Sequence, residues 1–160
     1  MDWTNLVRWI HLLAGAAWLG EVVTINFVIF PFVTRLDIEQ RRRIIKNLFP
    51  PIFNLASVLA LITLTAGLLL NYLLTEWRDL DQYLSTSNGR AIFIGGLLGL
   101  LLTIFHFFAE KRLERRIDKL EGGSNEEVET ITRYLRIIPR VGMVVIFIIF
   151  ALMMYGARGL

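Results

Sequence analysis

Residues 6–32 read LVRWIHLLAGAAWLGEVVTINFVIFPF, and only Arg8 and Glu21 carry charge in that run. A bilayer core of about 30 Å needs about 20 apolar residues when the chain crosses it as a helix. This stretch exceeds that length. It is also too long for the apolar core of a signal peptide, and no positive segment precedes it, so it is expected to stay as a membrane span. Three further stretches meet the same criterion, at 49–74, 91–109 and 141–157. The expected fold is all-α: one integral membrane domain over residues 1–160, a four-helix up-and-down bundle.

The composition agrees with that reading. Hydrophobic residues make up 55 % and charged residues 19 % of 160 residues. Mean hydropathy is +0.56. Small soluble domains bury only about two thirds of their unfolded surface, too little to hide so much apolar area. There is no cysteine, which excludes disulfides, thiolate metal sites, iron–sulfur clusters and covalent haem attachment through cysteine.

The basic residues set an orientation. Thirteen of the 17 Lys and Arg lie in two connections, 33–48 and 110–140. Positive charge stays on the cytoplasmic side, so both termini are expected outside. The expected location is the inner membrane of a prokaryote. Trp3, Trp9, Trp77 and Tyr83 fall where an outer aromatic belt would lie. The 110–140 connection is expected to form a cytoplasmic helical hairpin. Leu113, Ile117 and Leu120 continue the third helix at helical spacing, Gly122–Gly123 breaks it, and Ser124 with Glu127 fits a capping box that starts the next helix toward Pro139. This hairpin is either a solvated connector or a docking surface for a partner or anionic lipid heads.

Polar groups inside a bilayer are costly and mark candidate sites. The chain has two histidines, His11 and His106, and both fall within spans. The first and third spans run in one direction, so the two differ in depth by roughly 15 Å at 1.5 Å per residue. They are expected to mark two levels rather than to clamp one haem. Imidazole and thioether ligate haem iron and Cu(I). The outer candidate set is His11, Met153, Met154 and Tyr155, and the inner set is His106 and Met143. The plain alternative is that the methionines fill gaps and the histidines are hydrogen-bonded packing residues. Gly95, Gly99 and His106 share one helix face, where glycine admits either a neighbouring helix or a flat porphyrin. Glu21 lies mid-span on a face with Ala14, Ala17, Thr24 and Val28. No Lys or Arg lies at its depth, so it is expected either to be neutral and to handle protons or to bond a neighbouring Asn or Thr.

Soluble-enzyme signatures are missing. There is no P-loop, no dinucleotide glycine motif, no Ser–His–Asp set and no H-E-x-x-H. Nucleic-acid binding is not expected, because topology accounts for the basic residues.

The first span carries Trp9-Ile10-His11, then Trp18-Leu19-Gly20, then Pro31. The second has Arg41-Arg42-Arg43 ahead of it and Thr65-Ala66-Gly67 late in it. Over about the first 75 residues this pattern resembles the copper-resistance D-like and HemJ-like membrane proteins. The resemblance implies a four-helix bundle with a b-type haem or porphyrin held by His11, and Trp18 as an accompanying cofactor-side residue. HemJ-like members carry a lysine near the start of a later helix. Here Arg90 precedes the third span instead, a departure that bears against the oxidase activity and leaves haem binding, and a membrane oxidoreductase, open. The copper branch implies copper handling instead. The remaining alternative is a non-catalytic accessory subunit of a larger membrane complex, docked through the hairpin; the partners expected besides the lipid bilayer are a membrane redox complex or further copies of the chain in a homo-oligomer.

Overall fold

The computed structural model describes residues 2–120 and 123–158. They fold as α1 (Trp3–Thr24), a π-helical turn (Ile25–Ile29), α2 (Phe30–Val33), α3 (Ile38–Thr75), α4 (Leu80–Ser85), α5 (Ser87–Ile117), a 3-10 turn (Asp118–Leu120) and α6 (Asn125–Ala157). No strand occurs among the described residues. Four helical segments are long and apolar enough to cross a membrane: Trp3–Val33, Ile38–Thr75, Ser87–Leu120 and Asn125–Ala157. By length and composition the chain is a multi-pass membrane protein.

Side chains with a free oxygen start the long helices, as expected where backbone N–H groups lack partners. Asp37 Oδ1 accepts from the Gln40 N–H at 2.8 Å, and Thr86 Oγ1 from the Gly89 N–H at 3.0 Å. Ser124 and Glu127 form the reciprocal capping box. The expected break at Gly122 lies outside the described residues.

At the arginine-rich end α3, α5 and α6 run well past the expected spans, whereas the first helical segment, Trp3–Val33, nearly coincides with its span. Pro50 and Pro51 lie inside α3 and Pro139 inside α6, so α6 is one helix where a break near Pro139 would have divided it. A proline removes one helical hydrogen bond, and packing on neighbouring helices carries each helix through. Pro31 acts differently. It cannot donate to the Phe27 carbonyl, and the turn before it widens into the π-helical form. There the Asn26 side-chain amide donates to the Val22 carbonyl at 2.8 Å, satisfying an acceptor inside a buried turn.

Neighbouring helices are antiparallel. Gly15 and His11 on α1 meet Thr63 and Gly67 on α3, and Gly156 near the end of α6 lies against Asn88 and Ile92 at the start of α5. At Gly156 any β-carbon would run into Ile92 and the Asn88 carbonyl. Glycine is what lets these two backbones approach.

Packing divides the bundle in two. Mid-bundle, a small cluster of Trp18, Val22, Ala56, Ala60, Leu102 and Ile146 is buried, while Phe27, Leu61, Leu101, Phe105, Phe147 and Ile148 face outward. At the arginine-rich end the pattern inverts. Leu113, Ile117, Leu120, Val128, Ile131 and Leu135 pack inward with Ile45 and Phe49, and the charges lie outside. Two arginines tie this end together. Arg42 donates to the Leu120 and Gly123 carbonyls at 2.6 and 2.8 Å, to Asn125 at 3.3 Å, and pairs with Glu39 at 3.5 Å. Arg41 pairs with Glu129 at 2.7 Å and donates to the Thr34 and Leu36 carbonyls.

Candidate functional site

α3 is the common partner of both histidines. From α1, His11 reaches the Thr63 carbonyl with Nδ1 at 2.8 Å. A carbonyl only accepts, so Nδ1 carries the proton. In the neutral ring the lone pair is then on Nε2, the nitrogen left for a ligand. Gly67 makes this contact possible. A β-carbon there would stand 2.8 Å from His11 Cε1 and 3.0 Å from Nδ1, closer than real β-carbons come.

From α5, His106 Nε2 meets Ser57 Oγ at 3.0 Å and Glu110 Oε2 at 3.7 Å. Ser57 also donates to Glu110 Oε2. One hydroxyl proton cannot serve two acceptors, so with Ser57 donating to Glu110 it accepts from a protonated His106 Nε2. Trp18 covers the ring edge-on, with centroids 6.4 Å apart. The His106 Nε2 is therefore engaged, whereas His11 Nε2 has no hydrogen-bond partner among the described residues.

The two histidines dock at different points on α3, His11 at Thr63 and Gly67 and His106 at Ser57. The separation is six to ten residues, ~9–15 Å along the helix. Ser57 and Glu110 were not among the residues expected at the inner level. Glu110 had a signal, since it lies four residues after His106 on the same helix face. By sequence it belongs to the charged connection that follows the third span.

The methionines are distributed as follows. Gly15 meets Phe150, and one turn farther along this antiparallel pair His11 is level with Met154. The Met154 side chain is 61 % exposed. The Met153 methyl packs on Gly95, while the space at Gly99 is open. Met143 packs on the mid-bundle cluster that includes Trp18, next to the His106 level. Tyr155 is exposed. No group of three or more His, Cys, Asp and Glu side chains with metal-site spacing occurs among the described residues.

Glu21 sits one turn beyond Trp18. Both carboxyl oxygens are buried and have no hydrogen-bond partner among the described residues. The polar neighbours on its own helix are occupied, Asn26 by Val22 and Thr24 by Gly20.

For a b-type haem, the donor chemistry fits at His11, whose Nε2 is available and whose ring is oriented by Thr63. It fits less at His106, where Ser57 and Glu110 hold the corresponding nitrogen. A cleft of about 300 Å³ among the exposed side chains of Leu68, Leu69, Tyr72 and Trp77 lies on other faces of α3 than the one Gly67 presents to His11. No family model, curated protein or solved structure matches this chain.

Proposed function

We propose that this protein is a b-type haem-binding protein of the inner membrane of a prokaryote, handling electrons or a porphyrin with His11 as the axial ligand. The observation that carries the reading is the bond from His11 Nδ1 to the Thr63 carbonyl at 2.8 Å. It orients the ring and leaves Nε2 as the donor, the arrangement found at metal-ligating histidines. The likeness to copper-resistance D-like and HemJ-like proteins supports it independently. Met154, level with His11, is the second candidate ligand. A bound haem supplies a one-electron couple. Glu21 then serves as the proton-handling group, its two buried oxygens being free to take up and release a proton.

The topology belongs to the same reading. Both termini face outside, and residues 110–140 form a cytoplasmic helical hairpin. The inverted packing supports this: apolar side chains turn outward along the spans and inward along the hairpin, as lipid and water respectively require.

Purified from haem-replete cells, the protein is expected to show a Soret band that His11→Ala abolishes and His106→Ala retains. Equal loss in both variants defeats the assignment to His11. The His11–Met154 level also suits Cu(I), which prefers imidazole and thioether donors. Metal analysis separates the two readings, because copper content that falls in Met154→Leu without any Soret band favours copper.

A further inference from the structure

Most basic residues at the arginine-rich end need no explanation beyond topology. Arg41 and Arg42 are used inside the fold. Arg133 and Arg136 differ from both groups. They line a cavity of about 190 Å³ with Glu129 and Thr132, and neither has a carboxylate partner among the described residues.

The walls of the cavity fix its charge. Glu129 is neutralised by Arg41 at 2.7 Å, and the Arg41 Nε–H is buried with no acceptor among the described residues. Thr132 donates its hydroxyl to the Val128 carbonyl at 2.7 Å, so it acts as a wall. The Arg136 guanidinium lies 5.2 Å above the Phe30 ring, which holds it in place. Three guanidinium groups against one carboxylate leave the site two charges positive. Its volume is that of about six waters at ~30 Å³ each, enough for a phosphate with a short polyol.

The position selects the source of that phosphate. Phe30 belongs to the last turns of the first span, and α6 enters its apolar stretch at Val141, ~7 Å beyond Arg136. The cavity is therefore level with the headgroup layer and opens beside the bundle.

We propose that this cavity is a binding site for the phosphodiester headgroup of an anionic phospholipid of the cytoplasmic leaflet, gripped between Arg133 and Arg136. The inference rests on the topology reading and is independent of the haem. Basic residues near an anionic leaflet contribute about 1 kcal/mol each, so losing two weakens lipid binding roughly 30-fold.

The test is native mass spectrometry of the full chain with phosphatidylglycerol and, separately, phosphatidylcholine. The expected result is retained phosphatidylglycerol, little phosphatidylcholine, and loss of the former in Arg133→Gln/Arg136→Gln. Arg112→Gln/Arg115→Gln removes equal charge at the same end and is expected to retain the lipid. Equal loss in both pairs means diffuse attraction and overturns the site. Displacement by inorganic phosphate at matched ionic strength means a free-anion site and overturns the lipid assignment. Arg133→Gln alone leaves the Phe30–Arg136 contact intact, so it reads out binding even where the double variant folds poorly. Lipid retention without a Soret band separates this proposal from the haem reading.

Discussion

Substituting Gly67 with alanine tests how His11 is held. The added methyl would sit 2.8 Å from His11 Cε1 and 3.0 Å from Nδ1. Helix α3 continues on both sides of Gly67, so the imidazole moves. A displaced ring loses its bond to the Thr63 carbonyl, about 1 kcal/mol, and the overpacking costs about 1–3 kcal/mol more. Alanine in a helix interior returns up to ~1 kcal/mol relative to glycine. The net loss is about 1–3 kcal/mol. The sign reverses once the ring is gone. In a His11→Ala background, Gly67→Ala is expected to stabilise by up to ~1 kcal/mol. The cycle of four proteins, read by thermal unfolding in nanodiscs, should give a coupling of about 2–4 kcal/mol between the two positions, because the helix-propensity gain cancels. Nitrogen NMR gives a second readout, because two histidines make the assignment simple. Gly67→Ala should lower the Nδ1–H tautomer of His11 and leave His106 alone. An equal effect of Gly67→Ala in both backgrounds, with the His11 tautomer unchanged, would refute the close-approach argument.

Ser57→Ala removes the hydroxyl between His106 and Glu110 and should cost about 1–3 kcal/mol; Ser57→Thr should recover part of it, and a neutral alanine would mean that Ser57 bridges nothing. Glu21→Leu replaces a buried carboxyl without a partner, so the unliganded protein should gain about 1–3 kcal/mol in an unfolding assay. Destabilisation there would reveal a partner for the carboxyl. Arg42→Ala frees the Leu120 and Gly123 carbonyls and should speed amide exchange across 118–128 while leaving mid-span amides protected; uniform exchange would contradict its local role. Burial lifts the Tyr83 phenol above its ordinary value of 10.0, against a smaller opposing pull from the Asn71 amide. A raised folded value means that its stabilising contribution is intact below pH 10.0 and fades as pH climbs through the folded value. Tyr83→Phe should flatten that alkaline loss.

How far these features could be read beforehand depends on the range of the interaction. Hydrophobic length alone located the spans, and the Ser124–Glu127 box lies within four residues, so both were legible. The two histidine levels followed from counting residues along parallel helices. Ser57 was not legible, because which face of α3 meets α5 depends on helix rotation, and that is decided by packing around Ala56 and Ala60. Glu110 was visible at four residues from His106 but lay beyond the expected end of the span. The passage of α3 through Pro50–Pro51 and of α6 through Pro139 reflects tertiary contacts overriding a local preference. The π-helical turn before Pro31 is the opposite case, a local rule expressed in full.

Absorption spectra of the purified protein, oxidised and reduced, bear most directly on the haem assignment. The expected result is a Soret band that shifts on reduction, present at one haem level and dependent on His11. A colourless protein from haem-replete cells, with His11 still bonded to Thr63, would contradict it.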